Sequence, residues 1–180
     1  AGERIPIENP DVRERLQREL IINTHFHSAT ILNLLRSKRY FPQMDLILRE
    51  KGIPVDFKYV AVAESNLDYV TSPAGARGIW QIMPTVGRHY GLEVNAAIDE
   101  RNHFEKSTYA ACGLIADYYK RFGSWITTAA AYNSGETRLA RNMEEQKSQS
   151  YFDLNVNRET SRYVFRIMAM KEILEDPTYY

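Results

Sequence analysis

From residue 10 to residue 50 apolar positions recur at helical intervals with few turn formers between them. Asp11 stands where it can cap a helix through VRERLQRELIINTHF, and Ser28 can open a second over SATILNLLRSKRY. Pro42 then predicts a fresh helix start and Gly52 a stop, completing a helical lead-in over 1–52. After GIP, the run from Asp56 to Glu64 puts Phe57, Val60, Ala61 and Glu64 on one helical stripe, with Tyr59 and Ala63 beside it. Pro84 suits the first position of a short helix over TVGRHY that Gly91 would end. A longer helix is expected from Ser107 to a stop at Gly123, and Ser124 can cap another carrying WITTAAAYNSG. In ETSRYVFRIMAMKEILED, Tyr163, Ile167, Met170 and Leu174 follow at spacings of four, three and four. Only RGIWQI and its flanking turns look extended, so the pattern predicts a mainly α bundle with at most a small β-ribbon.

Composition narrows what such a bundle does. With 180 residues, 44% apolar and 26% charged, the chain has the makings of one ordinary globular domain. Lys plus Arg and Asp plus Glu balance at 23 each, which leaves no basic field for nucleic acid or anionic lipid and points to a neutral or polar substrate. Cys112 is the only cysteine, has no partner for an internal disulfide, and in YAACGLIADYY reads as a small core residue. No apolar stretch approaches the roughly twenty residues needed to span a bilayer, so the chain is expected to be cytosolic or to have lost a targeting segment.

Candidate chemistry centres on AESNLDYVTSPAGARGIWQIMP, residues 63–84. A carboxyl at the C-terminal end of an apolar helix meets the negative end of the helix dipole and loses water to partial burial. Both effects favour its protonated form. Glu64 therefore has the setting of a general acid, and protonating a glycosidic oxygen is a reaction suited to such a group. Gly75 and Gly78 permit tight turns beside a ligand, and Gln81 and Met83 offer an amide and a thioether to hydroxyls and apolar sugar faces. The plainer alternative makes Trp80 and Met83 core residues.

An ordered set of motifs then carries a resemblance. ES at Glu64–Ser65, Ser72, GARGIWQIMP at 75–84, YGL at 90–92, DER at 99–101, KST at 106–108, AYNSG at 131–135 and ETSRYV at 159–164 together resemble the catalytic domain of the soluble lytic transglycosylases. The resemblance runs from about Asn23 to Leu174, with a catalytic core over 53–175. It implies a lysozyme-like, α+β but mainly helical fold with a substrate groove. It also implies cleavage of the β-1,4 bond between N-acetylmuramic acid and N-acetylglucosamine in peptidoglycan, without cofactor or metal. One Glu serves as acid and then base, and the muramyl C6 hydroxyl attacks to give a 1,6-anhydro end. Glu64 takes that role. Ser72, Gln81, Met83, Tyr132, Asn133, Glu159 and Tyr163 match substrate-binding positions. A periplasmic monomer acting on glycan strands is implied, with any membrane tether or wall-binding repeat lying elsewhere.

Intramolecular attack needs no bound water and no protein nucleophile, because the N-acetyl oxygen can itself stabilise positive charge at the anomeric carbon. A second carboxylate in the cleft would change that reading, and Asp68, Asp99 and Glu100 are the candidates. Asp99 and Arg101 are read as a structural ion pair. Asn133 also fits a plain turn former, and Glu159 a charge at a helix start. The chain departs from the family pattern at His103-Phe104, where Asp-Pro is common, and at Ser134, where Ala is common. His25 and His27 are too weak a pair to predict a metal. Three rival readings are a goose-type lysozyme that hydrolyses the same bond, a non-catalytic glycan-binding module, and a helical protein-interaction domain.

Overall fold

A computed structural model describes residues 1–25 and 27–179. Among them are eight α-helices: α1 Pro10–His25, α2 His27–Glu50, α3 Lys58–Ser65, α4 Pro84–His89, α5 Phe104–Phe122, α6 Trp125–Ser134, α7 Glu136–Glu145 and α8 Arg158–Glu175. The extended content is confined to isolated antiparallel bridges, Thr71 with Arg77, Arg77 with Ile82, and Val94 with Asp99. The expectation of a mainly α chain with at most a small ribbon holds.

The chain divides into two compact units, a middle unit of Ser28–Ala116 and a terminal unit of Ala1–His27 with Asp117–Tyr180. Neither boundary falls at residue 52, where the sequence places the end of the lead-in.

In the middle unit α2 corrects the sequence reading, because it continues through Pro42. Asn33, Ser37, Met44 and Leu48 are buried on one stripe that runs past the proline. Burial along that face on both sides of the ring outweighs the one hydrogen bond that Pro removes. Gly52, at φ 68°, ends the helix as expected: its N–H donates to Arg49 O at 3.1 Å and that of Ile53 to Leu48 O at 2.9 Å, the paired closure of a Schellman motif. Gly91 closes α4 in the same manner, with Leu92 N–H donating to Gly87 O at 2.9 Å. Helix α5 begins at Phe104, three residues ahead of Ser107. The core gathers Met44, Leu48, Phe57, Tyr59, Val60, Ile79, Trp80 and Ile115, each under 5% exposed. Cys112 belongs to it, and burial pushes its thiol up to about 12, which makes it inert rather than reactive.

In the terminal unit α8 packs against α1 and α6. The Thr-Thr-Ala-Ala-Ala run of α6, residues 127–131, is buried throughout and lets the α8 backbone come close. Ser124 caps α6 by accepting from Thr127 N–H at 3.2 Å, and the Glu3 carboxylate adds acceptors for Ile126 N–H at 3.1 Å and the Ser124 hydroxyl at 2.9 Å. A negative charge at that end complements the helix dipole. Asn157 caps α8 through Thr160 N–H at 2.9 Å. Of the expected α8 stripe, Tyr163 and Met170 are buried and Ile167 and Leu174 only partly so, while Phe165, Ala169 and Ile173 bury a second face.

Candidate active site

Glu64 occupies the penultimate position of α3 and is half-buried, the setting its sequence position implied. What fixes it there is the helix end. Asn66 and Leu67 adopt left-handed backbone, φ 53° and 56°, turning the chain sharply two residues after the acid. Asn33 Nδ2 donates to Asn66 Oδ1 at 3.0 Å, and Arg36 donates to Asn66 O at 2.9 Å and to Asp68 at 2.6 Å, so α2 holds the turn from outside. Leu67, 1% exposed, anchors it from inside. Ser65 is buried, its hydroxyl 2.8 Å from Ile79 O and 3.1 Å from Ala61 O, and it accepts weakly from Asp68 N–H at 3.3 Å. The serine of the ES motif therefore fastens the acid's helix to the Gly-rich loop.

That loop is built around Arg101. Its guanidinium grips Asp99 with two bonds, 2.8 and 2.7 Å, and donates to the carbonyls of Gly75 at 2.7 Å and Ile82 at 3.0 Å. A Cβ on Gly78 would lie 2.1 Å from Arg101 O, and Gly78 has φ +80°, so glycine is required there for two independent reasons. Arg77 adds a third contact to Asp99 at 3.0 Å. The expected Asp99–Arg101 pair is thus the centre of a part-buried cluster, and the Arg101 guanidinium holds the Asp99 carboxyl below its ordinary range.

Ser72 is half-buried and accepts from Ala76 N–H at 3.0 Å, which leaves its own hydrogen to give. Gln81, at φ 48°, donates both amide hydrogens inward, to Val70 O at 2.9 Å and Gly78 O at 2.8 Å, so only its Oε1 is available to a ligand. Met83 is 39% exposed at the start of α4. Trp80 is wholly buried and donates to Thr108 Oγ1 at 2.9 Å, the core reading. Asp68 pairs with Arg36 and Glu100 with Lys106, so each of the three carboxylates that could have joined Glu64 has a cation as partner.

In the terminal unit, α6 and α8 bring Asn133 and Glu159 together. Asn133 donates to Glu159 Oε1 at 3.0 Å and accepts from the Thr160 hydroxyl at 3.1 Å. Asn133 is therefore a link between helices rather than a turn former. Tyr132 is half-buried at the end of α6. Tyr163 departs from its expected place lining the cleft. It is 0% exposed, since its position faces the core side of α8, and in this structure it offers no surface to a substrate.

Sequence reasoning passed over Tyr69, an aromatic between Glu64 and Ser72 that is 42% exposed and set edge-on to Tyr40 at 6.4 Å. A large aromatic in a loop between two motif residues was the available signal. Among the described residues no group of three or more His, Cys, Asp or Glu could hold a metal; His25 is exposed and the His27 side chain lies outside the described residues.

A helical scaffold whose α3 is tied at its end to a Gly-rich loop has the architecture of the lysozyme-like class. A family model for the Transglycosylase SLT domain matches residues 48–155, and the chain belongs to that family. It is 34% identical over 179 residues, 96% of its length, to membrane-bound lytic murein transglycosylase D of Escherichia coli K12, and equally so to the protein of that name from Escherichia coli O6:H1. The chain spans about two fifths, 39%, of the length of these relatives.

Proposed function

We propose that the chain is a peptidoglycan lytic transglycosylase, cutting the β-1,4 bond between N-acetylmuramic acid and N-acetylglucosamine with Glu64 as the single acid and base. The placement of Glu64 carries the reading: a half-buried carboxyl in the last turn of α3, in a unit where Asp68, Asp99 and Glu100 are each paired with a cation. Protonated Glu64 gives its proton to the departing glycosidic oxygen. The N-acetyl oxygen of the substrate shelters the anomeric carbon, and Glu64, now a carboxylate, takes the proton of the muramyl C6 hydroxyl as that oxygen closes the 1,6-anhydro ring. Ser72, with a hydrogen to donate, orients the N-acetyl group, while Gln81 Oε1 and the Met83 thioether contact the strand. Tyr132, Asn133 and Glu159 contribute further sugar contacts, and Tyr163 supports them from the core.

With this substrate the chain acts in the periplasm, as a monomer and as one catalytic domain. Among the described residues no helix is long and apolar enough to cross a membrane. Mass spectrometry of products released from purified peptidoglycan tests the reaction. Anhydromuramic ends, absent with Glu64→Gln, are expected; reducing ends would make the chain a hydrolase, and binding without products a glycan-binding module.

A further inference from the structure

We propose that the groove between α1 and α8 binds a tetrahedral oxyanion of the phosphate-ester type. This site lies wholly within the terminal unit and involves none of the residues assigned to catalysis. A cavity of about 240 Å³ is lined by Arg15 and Arg18 from α1 and by Arg158 and Arg162 from α8. Two carboxylates share the cavity, and each is already matched. Glu19, 1% exposed, takes Arg162 through bonds of 2.5 and 3.2 Å, and Asp11 takes Arg15 at 3.2 Å. Arg18 and Arg158 are exposed, line the same cavity, and have no hydrogen-bond or ion-pair partner among the described residues. Two cations that line one cavity are thus left without an acidic counterpart, which favours an anion there.

A purely structural role for the cluster accounts for half of it. Arg15 is fixed by Ser161 O and Oγ, both at 2.8 Å, and by the Phe165 ring 4.5 Å from its Cζ; Arg162 is fixed by Glu19. These two form a rigid floor. Arg18 and Arg158 are exposed and make no hydrogen bond or ion pair among the described residues, so no such fixing role accounts for them. The donors also specify the ligand. Arg162 Nη1 has no partner among the described residues, and Ser161 Oγ already accepts from Arg15, so its own hydrogen is available. With Arg18 and Arg158 these donors approach from both helices. That is more directions than the two coplanar oxygens of a carboxylate can satisfy, and it suits three or four oxygens around phosphorus. Arg158 opens α8, so the positive end of that helix dipole adds to a field the guanidinium groups already make.

Binding is measured by titrating the protein with inorganic phosphate at fixed ionic strength, against chloride, following backbone amide shifts and thermal midpoint. The wild type should show saturable shifts at residues of α1 and the start of α8. Arg18→Gln/Arg158→Gln should weaken binding on the order of tenfold or more while leaving the chloride midpoint unchanged, because neither side chain has a partner to lose. Equal binding by the double variant, or no effect of phosphate beyond that of chloride, overturns the site. A flotation arm with phosphatidylglycerol vesicles, and phosphatidylcholine vesicles as control, finds the source. Capture by the first alone, competed by phosphate and lost in the double variant, makes the anion a lipid headgroup; phosphate binding without capture makes it a soluble ester.

Discussion

The two units position their chemistry by different means. In the middle unit the candidate residues from Ser72 to Met83 stand on irregular backbone, and their places depend on one buried arginine, one serine and one obligatory glycine. In the terminal unit Tyr132, Asn133 and Glu159 ride on α6 and α8, and helix packing does the placing. A residue on a helix is located by many small contacts, so losing one moves it little. A residue on a pinned loop is located by a few strong ones, and losing one moves everything the pin holds.

Substitutions should expose this asymmetry. The largest effect is expected at Glu64: Glu64→Gln should lower turnover by about 10²–10⁴-fold with binding of glycan strands and the thermal midpoint retained. Asn133→Ala, in the terminal unit, should act mainly on KM, by on the order of tenfold; equal losses of kcat from both would erase the contrast between the units. For stability, Asp99→Ala leaves Arg101 buried without its counter-charge and should cost about 3–5 kcal/mol in urea unfolding, and Gly78→Ala should cost about 3 kcal/mol from strain and the clash with Arg101 O.

The Asp99 cluster also has a pH signature. Its carboxyl is held below its ordinary range, so its contribution is complete above about pH 4 and disappears as pH falls through the lower folded value. The stability gap between wild type and Asp99→Asn should therefore be widest near neutrality and close on acidification; a gap that widens in acid would remove the cluster from that role. The smallest effect belongs to the terminal unit, where Asn157→Ala removes one cap of α8 and should cost about 1 kcal/mol in thermal unfolding.

Local signals explain what was legible in the chain. Ser124, Gly52 and Gly91 act where they were expected because capping depends on a few neighbouring residues. The acid's helix, the Asp99–Arg101 pair and the buried Trp80 were also readable, the last two helped by an apolar or charged pattern at short range. Pro42 misled because a local rule was overridden by burial along a face that extends nine residues before it and six beyond. Helix α7 went unread because its face buries only Leu139. Tyr163 was matched to the cleft by its motif alone, and a motif does not say which way a side chain faces; here it points into the core. The reason for Gly78 lay 23 residues downstream, in a carbonyl that no local reading can see.

The grip of Arg101 on Gly75 and Ile82 has a consequence for handling the protein. A stretch rich in glycine and alanine, bearing Arg77 and almost no regular structure, has the composition of a trypsin target. A protease must draw several residues of backbone into extended form, and here that means releasing carbonyls on both sides of Arg77 together with the Ser65 tie. Cleavage after Arg77 then reports unfolding of the whole middle unit, so the rate at which that peptide appears is a clock for the integrity of the fold.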